Sequence, residues 1–198
     1  VKQNLQKDDE SPKKIVERNG RIGDKYAWLD ETMVDWGDGE PKKTYLPGMA
    51  DGVFIIAFLE NGKIPLVHQY RLRGGWRYEL PGGMIDEMDS EESAALRELE
   101  EETGYRAQEL EKIFAFRPNP GLQCDIFLYV ARKTTKTAQR LDVGEKGLSV
   151  VEVTPTQLWA MVLDGTITDA QTVLAVLLAK ERGYLKIDKA ELKKGHPF

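Results

Sequence analysis

The sequence predicts an α+β fold, with strands and helices combined in a mixed sandwich. Three observations predict it. Short β-branched and aromatic runs are divided by tight-turn dipeptides, one long helical segment lies mid-chain, and further strands with two capped helices follow it. The length of 198 residues suits one compact unit with a small appended segment.

Taken in order, residues 1–12 are polar and charged, and are expected to form a mobile arm. Strands are read at Ile15 to Glu17, Tyr26 to Val34, Val53 to Leu59 and Ile64 to Tyr70, punctuated by Asn19-Gly20, Asp38-Gly39 and Asn61-Gly62 as turns. Pro81-Gly82-Gly83 ends a strand and enters a loop. Ser90 then caps a helix from Glu91 to Thr103, with Glu91 and Glu92 near the positive end of its dipole and Gly104 closing it. Further strands are read at Ile113 to Phe116, Ile126 to Ala131 and Leu148 to Val153. Thr154, Pro155 and Gln157 start one late helix and Thr168 with Gln171 starts another, with Gly165 and Gly183 as their terminators. The tail after Leu185 carries no assignment.

Composition bounds the function classes. Hydrophobic residues make up 41% and charged residues 31%, an ordinary globular balance. The apolar runs Val53 to Leu59 and Val173 to Ala179 fall far short of the roughly 18 residues that span a bilayer, so no membrane role is expected. The first residues lack the apolar core of a secretory signal, and Cys124 is the only cysteine, so a reducing, cytoplasmic location is expected. A net charge of −5 without a basic stripe argues against a nucleic-acid partner.

The helix from Glu91 carries the chemistry. Ala95, Leu96 and Leu99 form its apolar stripe, while Glu98, Glu101 and Glu102, spaced three and four apart, share a face. Like charges so placed repel unless a cation sits among them. Oxygen ligands without nearby histidine or thiolate suit Mg²⁺, with Mn²⁺ as a substitute. Glutamate-rich helical faces are also common as plain solvated surfaces, so the helix alone leaves that alternative open.

The wider pattern narrows the choice. Gly83, Arg97, Glu98, Leu99, Glu101, Glu102, Gly104 and Tyr105 stand at the spacing of the Nudix signature, and the segment resembles that family. It departs at Asp89, where the family has glutamate. The strings His68-Gln69-Tyr70-Arg71, Glu79-Leu80-Pro81-Gly82-Gly83, Asn119-Pro120-Gly121 and Gly165 to Thr172 resemble the branch that cleaves ADP-ribose and other nucleoside diphosphate sugars.

The resemblance implies an α/β/α sandwich with a mixed sheet. Its domains would be a small N-terminal β subdomain over 13–47 that forms a homodimer contact, a catalytic domain over 48–185, and a tail over 186–198. It implies that Glu98 and Glu102 bind metal directly, that Glu101 contributes directly or through water, that Gly82 offers its carbonyl, and that Arg97 orients the acids. It further implies hydrolysis of ADP-ribose or a related nucleoside diphosphate sugar, with GDP-mannose or dinucleotide preference and a non-catalytic sensor as alternatives.

Outside the signature, Arg71 is a candidate for a bidentate hold on the diphosphate, or else a surface ion pair. Trp28 is a candidate for stacking on a base, or else core. Pro120 falls where that branch has its substrate loop. In enzymes of that branch a glutamate on a mobile loop before the last strand is the general base, and the resemblance implies this role for Glu145, the only glutamate of Asp142 to Gly147, with Glu98 as the alternative and a solvated turn glutamate as the plain reading.

Overall fold

A computed structural model describes residues 13–141 and 143–192, so the expected arm at 1–12 and the end of the tail lie outside the described residues. The chain divides into two units. One comprises the residues up to Ala50 with Arg117–Cys124, and the other comprises Asp51–Phe116 with the residues from Asp125 onward. The sequence places the boundary between 47 and 48 and leaves 117–124 with the catalytic unit.

The first unit is an antiparallel sheet of β1 (Lys14–Gly23), β2 (Ala27–Asp35) and β3 (Lys42–Met49), in that order. Asn19-Gly20, read as a turn, lies inside β1, where the register slips between Arg18 and Gly20. The chain reverses instead just after Gly23, which has φ +129°. There the Asp24 carboxylate accepts from the N–H groups of Tyr26 (2.8 Å) and Ala27 (3.0 Å). An aspartate turn thus takes the reversal, and the mid-strand glycine becomes a bulge. The β3 strand escaped the sequence reading because its lysines and Pro47-Gly48 carry little β signal. Segment 117–124 joins this unit through the backbone, Met49 N–H donating to the Gln123 carbonyl (3.0 Å) and Gln123 N–H to that of Pro47 (3.1 Å).

The second unit contains β4 (Gly52–Ala57), β5 (Ile64–Arg71), β6 (Gly75–Glu79), β7 (Gly82–Met84), α1 (Glu91–Thr103), β8 (Tyr105–Phe116), β9 (Ile126–Lys136), β10 (Ser149–Val153), α2 (Pro155–Leu163), α3 (Ala170–Glu181) and α4 (Lys189–Leu192). One sheet runs β7-β4-β9-β8, with β4 and β9 parallel and the outer strands antiparallel to them. A second, antiparallel sheet runs β10-β5-β6.

Alternation along β4 and β9 explains the layering. Val53, Ile55, Ala57, Tyr129 and Ala131 form one core cluster with Ala94, Ala95 and Leu99 of α1. The intervening Ile56, Leu128 and Val130 are fully buried as well, and α3 packs on these same two strands. A sheet whose central strands bury both faces needs helices on both, which gives the mixed α/β/α sandwich that the sequence predicts.

Several boundaries differ from the sequence reading, among them those of β8 and α3. The β8 strand starts at Tyr105, directly after α1, because buried Tyr105 and Ala107 alternate with polar residues that hid the strand. The cap of α3 is Asp169 rather than Thr168, its carboxylate accepting from Thr172 N–H at 2.8 Å. Among the described residues, no helix is long and apolar enough to cross a membrane.

Candidate metal centre

The site is built on α1. Ser90 and Ser93 form a reciprocal cap, the Ser90 hydroxyl accepting from Ser93 N–H (3.1 Å) and the Ser93 hydroxyl from Ser90 N–H (2.8 Å). Gly104, at φ +69°, ends the helix in the left-handed region. Between these stops, burial of Ala95 and Leu99 in the core turns Glu98 and Glu102 inward, and they are only 7% and 2% exposed.

Two glycines let backbone approach these acids. A Cβ on Gly83 would stand 2.5 Å from the Glu98 carboxylate, and one on Gly82 would stand 2.2 Å from the Val53 carbonyl oxygen. Their absent side chains allow β7 to lie beside β4 and under α1. From there Gly82 N–H donates to Glu102 Oε2 at 2.8 Å.

The third acid comes from a loop steered by the end of the helix. After β9, Thr137 N–H donates to the Gly104 carbonyl (2.7 Å), the Gln139 side chain to that of Glu102, and Arg140 N–H to that of Glu101 (2.9 Å). These bonds satisfy carbonyls at the C-terminal end of α1 and lead the chain back along it. A single 3-10 turn, Val143–Glu145, follows. One carboxylate oxygen from each of Glu98, Glu102 and Glu145 then lies within 4.8 Å of the other two.

The electrostatics of this cluster call for a cation. Burial raises the Glu98 carboxyl to about 7; Glu145 and Glu101 push the same way, and Arg97 opposes. Burial also holds Glu102 well above the carboxylate range, aided by Glu98 and Glu145 and opposed by the Gly82 N–H. Desolvated acids of one sign are relieved either by protons or by a metal. Around Mg²⁺, ligand oxygens lie about 2.9 Å apart when adjacent and about 4.1 Å when opposite, so oxygens within 4.8 Å of one another would draw closer to share one ion. The donor set therefore fits a hard divalent ion.

Arg97 ties the helix acids to the preceding loop. Its guanidinium donates to Asp89 (3.0 Å), Glu98 (2.8 Å), Glu101 (3.1 Å) and the Met84 carbonyl (3.3 Å). Burial lowers its pKa, but Glu98, Asp89 and Glu101 together raise it further. Asp89, the departure from the signature, still reaches its partner. Glu101 is half-buried and held by Arg97, and it is not among the three convergent acids.

Arg71 lies at the end of β5 and pairs with buried Glu79 at 2.5 Å, its charge also felt by Glu102 and Asp169. Trp28 and Pro120 belong to the other unit. Trp28 packs its indole over Gly48, where a Cβ would stand 2.3 Å from the ring, and the Arg21 guanidinium lies 4.4 Å from the ring centroid. Pro120 lines a cavity of about 260 Å³ with Arg18, Asp30 and Arg117; Trp28 is not among its lining residues. The sequence reading assigned no role to Glu79 or Gln69. Their only signal is inclusion in the two strings that lead into the signature.

Known proteins resemble this chain in sequence and in fold. The NUDIX domain model matches residues 48–178. The ADP-ribose pyrophosphatase of Bacillus subtilis (strain 168) is 30% identical over 86% of this chain and 92% of its own length. The methanol dehydrogenase activator of Bacillus methanolicus is 31% identical over 72% and 79%. A GDP-mannose pyrophosphatase of Yersinia enterocolitica is 31% identical over 64% and 71%. Among solved structures, one described as an ADP compounds hydrolase superposes with a TM-score of 0.72 at 19% identity, covering 86% of this chain and 93% of that one, a likeness of fold. With the signature helix, its buried acids and the fold in agreement, the chain is a member of the Nudix hydrolase family.

Proposed function

We propose that the chain hydrolyses the diphosphate bond of ADP-ribose or a related nucleoside diphosphate sugar, using Mg²⁺, to give a nucleoside monophosphate and a sugar phosphate. The observation that carries this reading is the convergence of Glu98, Glu102 and Glu145 from two separate segments. A divalent cation held there supplies positive charge that neutralises the diphosphate and acidifies nearby water. Glu98 and Glu102 hold the ion, the Gly82 carbonyl adds an oxygen, and Glu101 contributes through water. Arg97 keeps the acids in register through its bonds to Glu98 and Glu101. Glu145, on a loop bounded by Gly144 and Gly147, accepts the proton of the attacking water. Arg71 contacts the diphosphate; half-exposed, it lies within electrostatic reach of Glu102.

The ADP-ribose pyrophosphatase of Bacillus subtilis, which aligns over 92% of its length, favours ADP-ribose. The GDP-mannose pyrophosphatase aligns over 71% and supports the second reading, a guanine nucleotide sugar. A homodimer through β1–β3 is part of this proposal, supported by the exposure of Ile15, Val16, Ile22 and Leu29 of that sheet, at 42–64%.

The test incubates the protein with ADP-ribose, GDP-mannose and a dinucleotide in Mg²⁺, with and without chelator, and separates the products. AMP formed from ADP-ribose and abolished by chelator is expected. Ligand binding without any monophosphate product, under Mg²⁺ or Mn²⁺, would make the protein a sensor instead.

A further inference from the structure

The contact between Arg71 and Glu79 is unequal. Glu79 is 7% exposed, whereas the Arg71 side chain is half exposed, so the buried partner is the acid and the accessible one is the base. Register explains how they meet. Val67 pairs with Glu79 and Gln69 with Arg77, so Gln69 is the diagonal neighbour of Glu79 on the same face, with Arg71 two residues further along. Gln69 Nε2 donates to Glu79 Oε2 at 3.2 Å. Arg71 Nε donates to both carboxylate oxygens, at 3.2 and 3.1 Å, and Nη2 donates to Oε2 at 2.5 Å.

One edge of the guanidinium is therefore held by Glu79, and Nη1, on the other edge, has no hydrogen-bond partner among the described residues. A side-on grip of this kind fixes the plane of a guanidinium without covering its outer N–H groups. Glu79 is fixed in turn by its place in the chain. It ends β6, and Leu80 N–H donates to the buried Thr172 hydroxyl of α3 at 3.0 Å. Two residues later, Gly82 N–H holds Glu102. One short segment thus anchors the partner of Arg71 and one of the acids of the metal cluster.

We infer that Glu79, supported by Gln69, is a positioning residue that fixes the Arg71 fork so that its outer N–H groups address the diphosphate beside the acid cluster. This rests on the reading of Arg71 as a diphosphate contact. An arginine free to rotate would give up side-chain entropy on binding, whereas one already clamped pays little of that cost. The clamp acts on the binding of the diphosphate rather than on water activation, so it weighs on KM more than on kcat.

The test is a double-mutant cycle on the full-length protein, with ADP-ribose and GDP-mannose as probes, reading KM, kcat, melting temperature and Mg²⁺ affinity. Arg71→Ala and Glu79→Gln are each expected to raise KM for the better probe about tenfold, with kcat within about threefold of wild type and Mg²⁺ affinity unchanged. Glu79→Gln added to Arg71→Ala should cost nothing further, and Glu79→Asp should fall between wild type and Glu79→Gln. If Arg71→Ala leaves KM unchanged, the diphosphate contact itself is wrong. If Arg71→Ala raises KM but Glu79→Gln does not, or if Glu79→Gln raises it equally with and without Arg71, the clamp is overturned while the contact stands. Should Glu79→Gln fail to fold, Glu79→Asp and Gln69→Met decide, and an unchanged KM in both overturns the clamp.

Discussion

Glu98 and Glu100 stand two residues apart on α1 and meet opposite surroundings. Glu100 is partly exposed and pairs with Arg106 at 2.9 and 3.0 Å, and that hydrogen bond holds its carboxyl below the ordinary range. Glu98 is buried, faces Glu102 and Glu145, and is pushed up to about 7. The outer face is an ordinary solvated helix surface whose charges are matched in place. The inner face keeps two glutamates where burial and mutual repulsion disfavour their charged forms. Such an arrangement costs the metal-free fold stability, and a cation bound among the acids would offset that cost.

The sharpest way to break this contrast is to neutralise the inner face. Glu102→Gln or Glu98→Gln should lower turnover about a thousandfold, with metal affinity falling in parallel. Glu145→Gln should lower kcat about a hundredfold and weaken metal binding less than either. Undiminished turnover with intact metal binding in Glu145→Gln would remove this residue from the mechanism and leave Glu98 as the base.

Stability should move the other way. Glu98 and Glu102 titrate higher in the folded protein than in the unfolded chain, so below about pH 4, where both states are protonated, they cost nothing. Each increasingly destabilises the metal-free fold as pH climbs from the unfolded value, and the cost is complete above the folded value, about 7 for Glu98. Glu98→Gln should therefore stabilise the metal-free protein at pH 8 by about 3 kcal/mol and leave it nearly unchanged at pH 4.5. Denaturant titration in chelator at the two pH values measures this, and equal effects at both would contradict the burial cost. The smallest effect belongs to the outer face: Glu100→Gln should leave turnover, metal affinity and melting temperature at wild-type values.

Much of the inner face was legible in the sequence, because helix phase is a local property. At about 100° per residue, Glu98 and Glu102 lie about 40° apart, and Ala95 and Leu99 fix which way that side turns. The same arithmetic explains Glu101, which lies about 60° from Glu98 toward Arg97, its neighbour one turn back. Shared spacing suggested three convergent acids, but only two turn fully inward, and Arg97 takes the third. The Ser90 cap and the Gly104 stop were readable for the same local reason.

What the sequence hid depended on pairing between distant segments. Strands β3 and β7 are short or poor in β-branched residues, and they exist because β2 and β4 give them partners. The Arg71–Glu79 clamp follows from hairpin register, which composition does not encode. Arg117–Cys124 joins the N-terminal sheet through backbone bonds to Pro47 and Met49, which no local pattern announces. Asn19-Gly20 misled because a turn dipeptide inside a strand makes a bulge when a stronger aspartate turn lies four residues on.

Calorimetric titration of Mg²⁺ into wild type, Glu98→Gln and Glu102→Gln between pH 6 and pH 8 tests the inner face most directly. The account predicts wild-type binding that weakens as pH falls, with proton release on binding near pH 6.5, and little or no binding in either variant. Wild-type affinity and proton release persisting in both variants would show that the metal sits elsewhere.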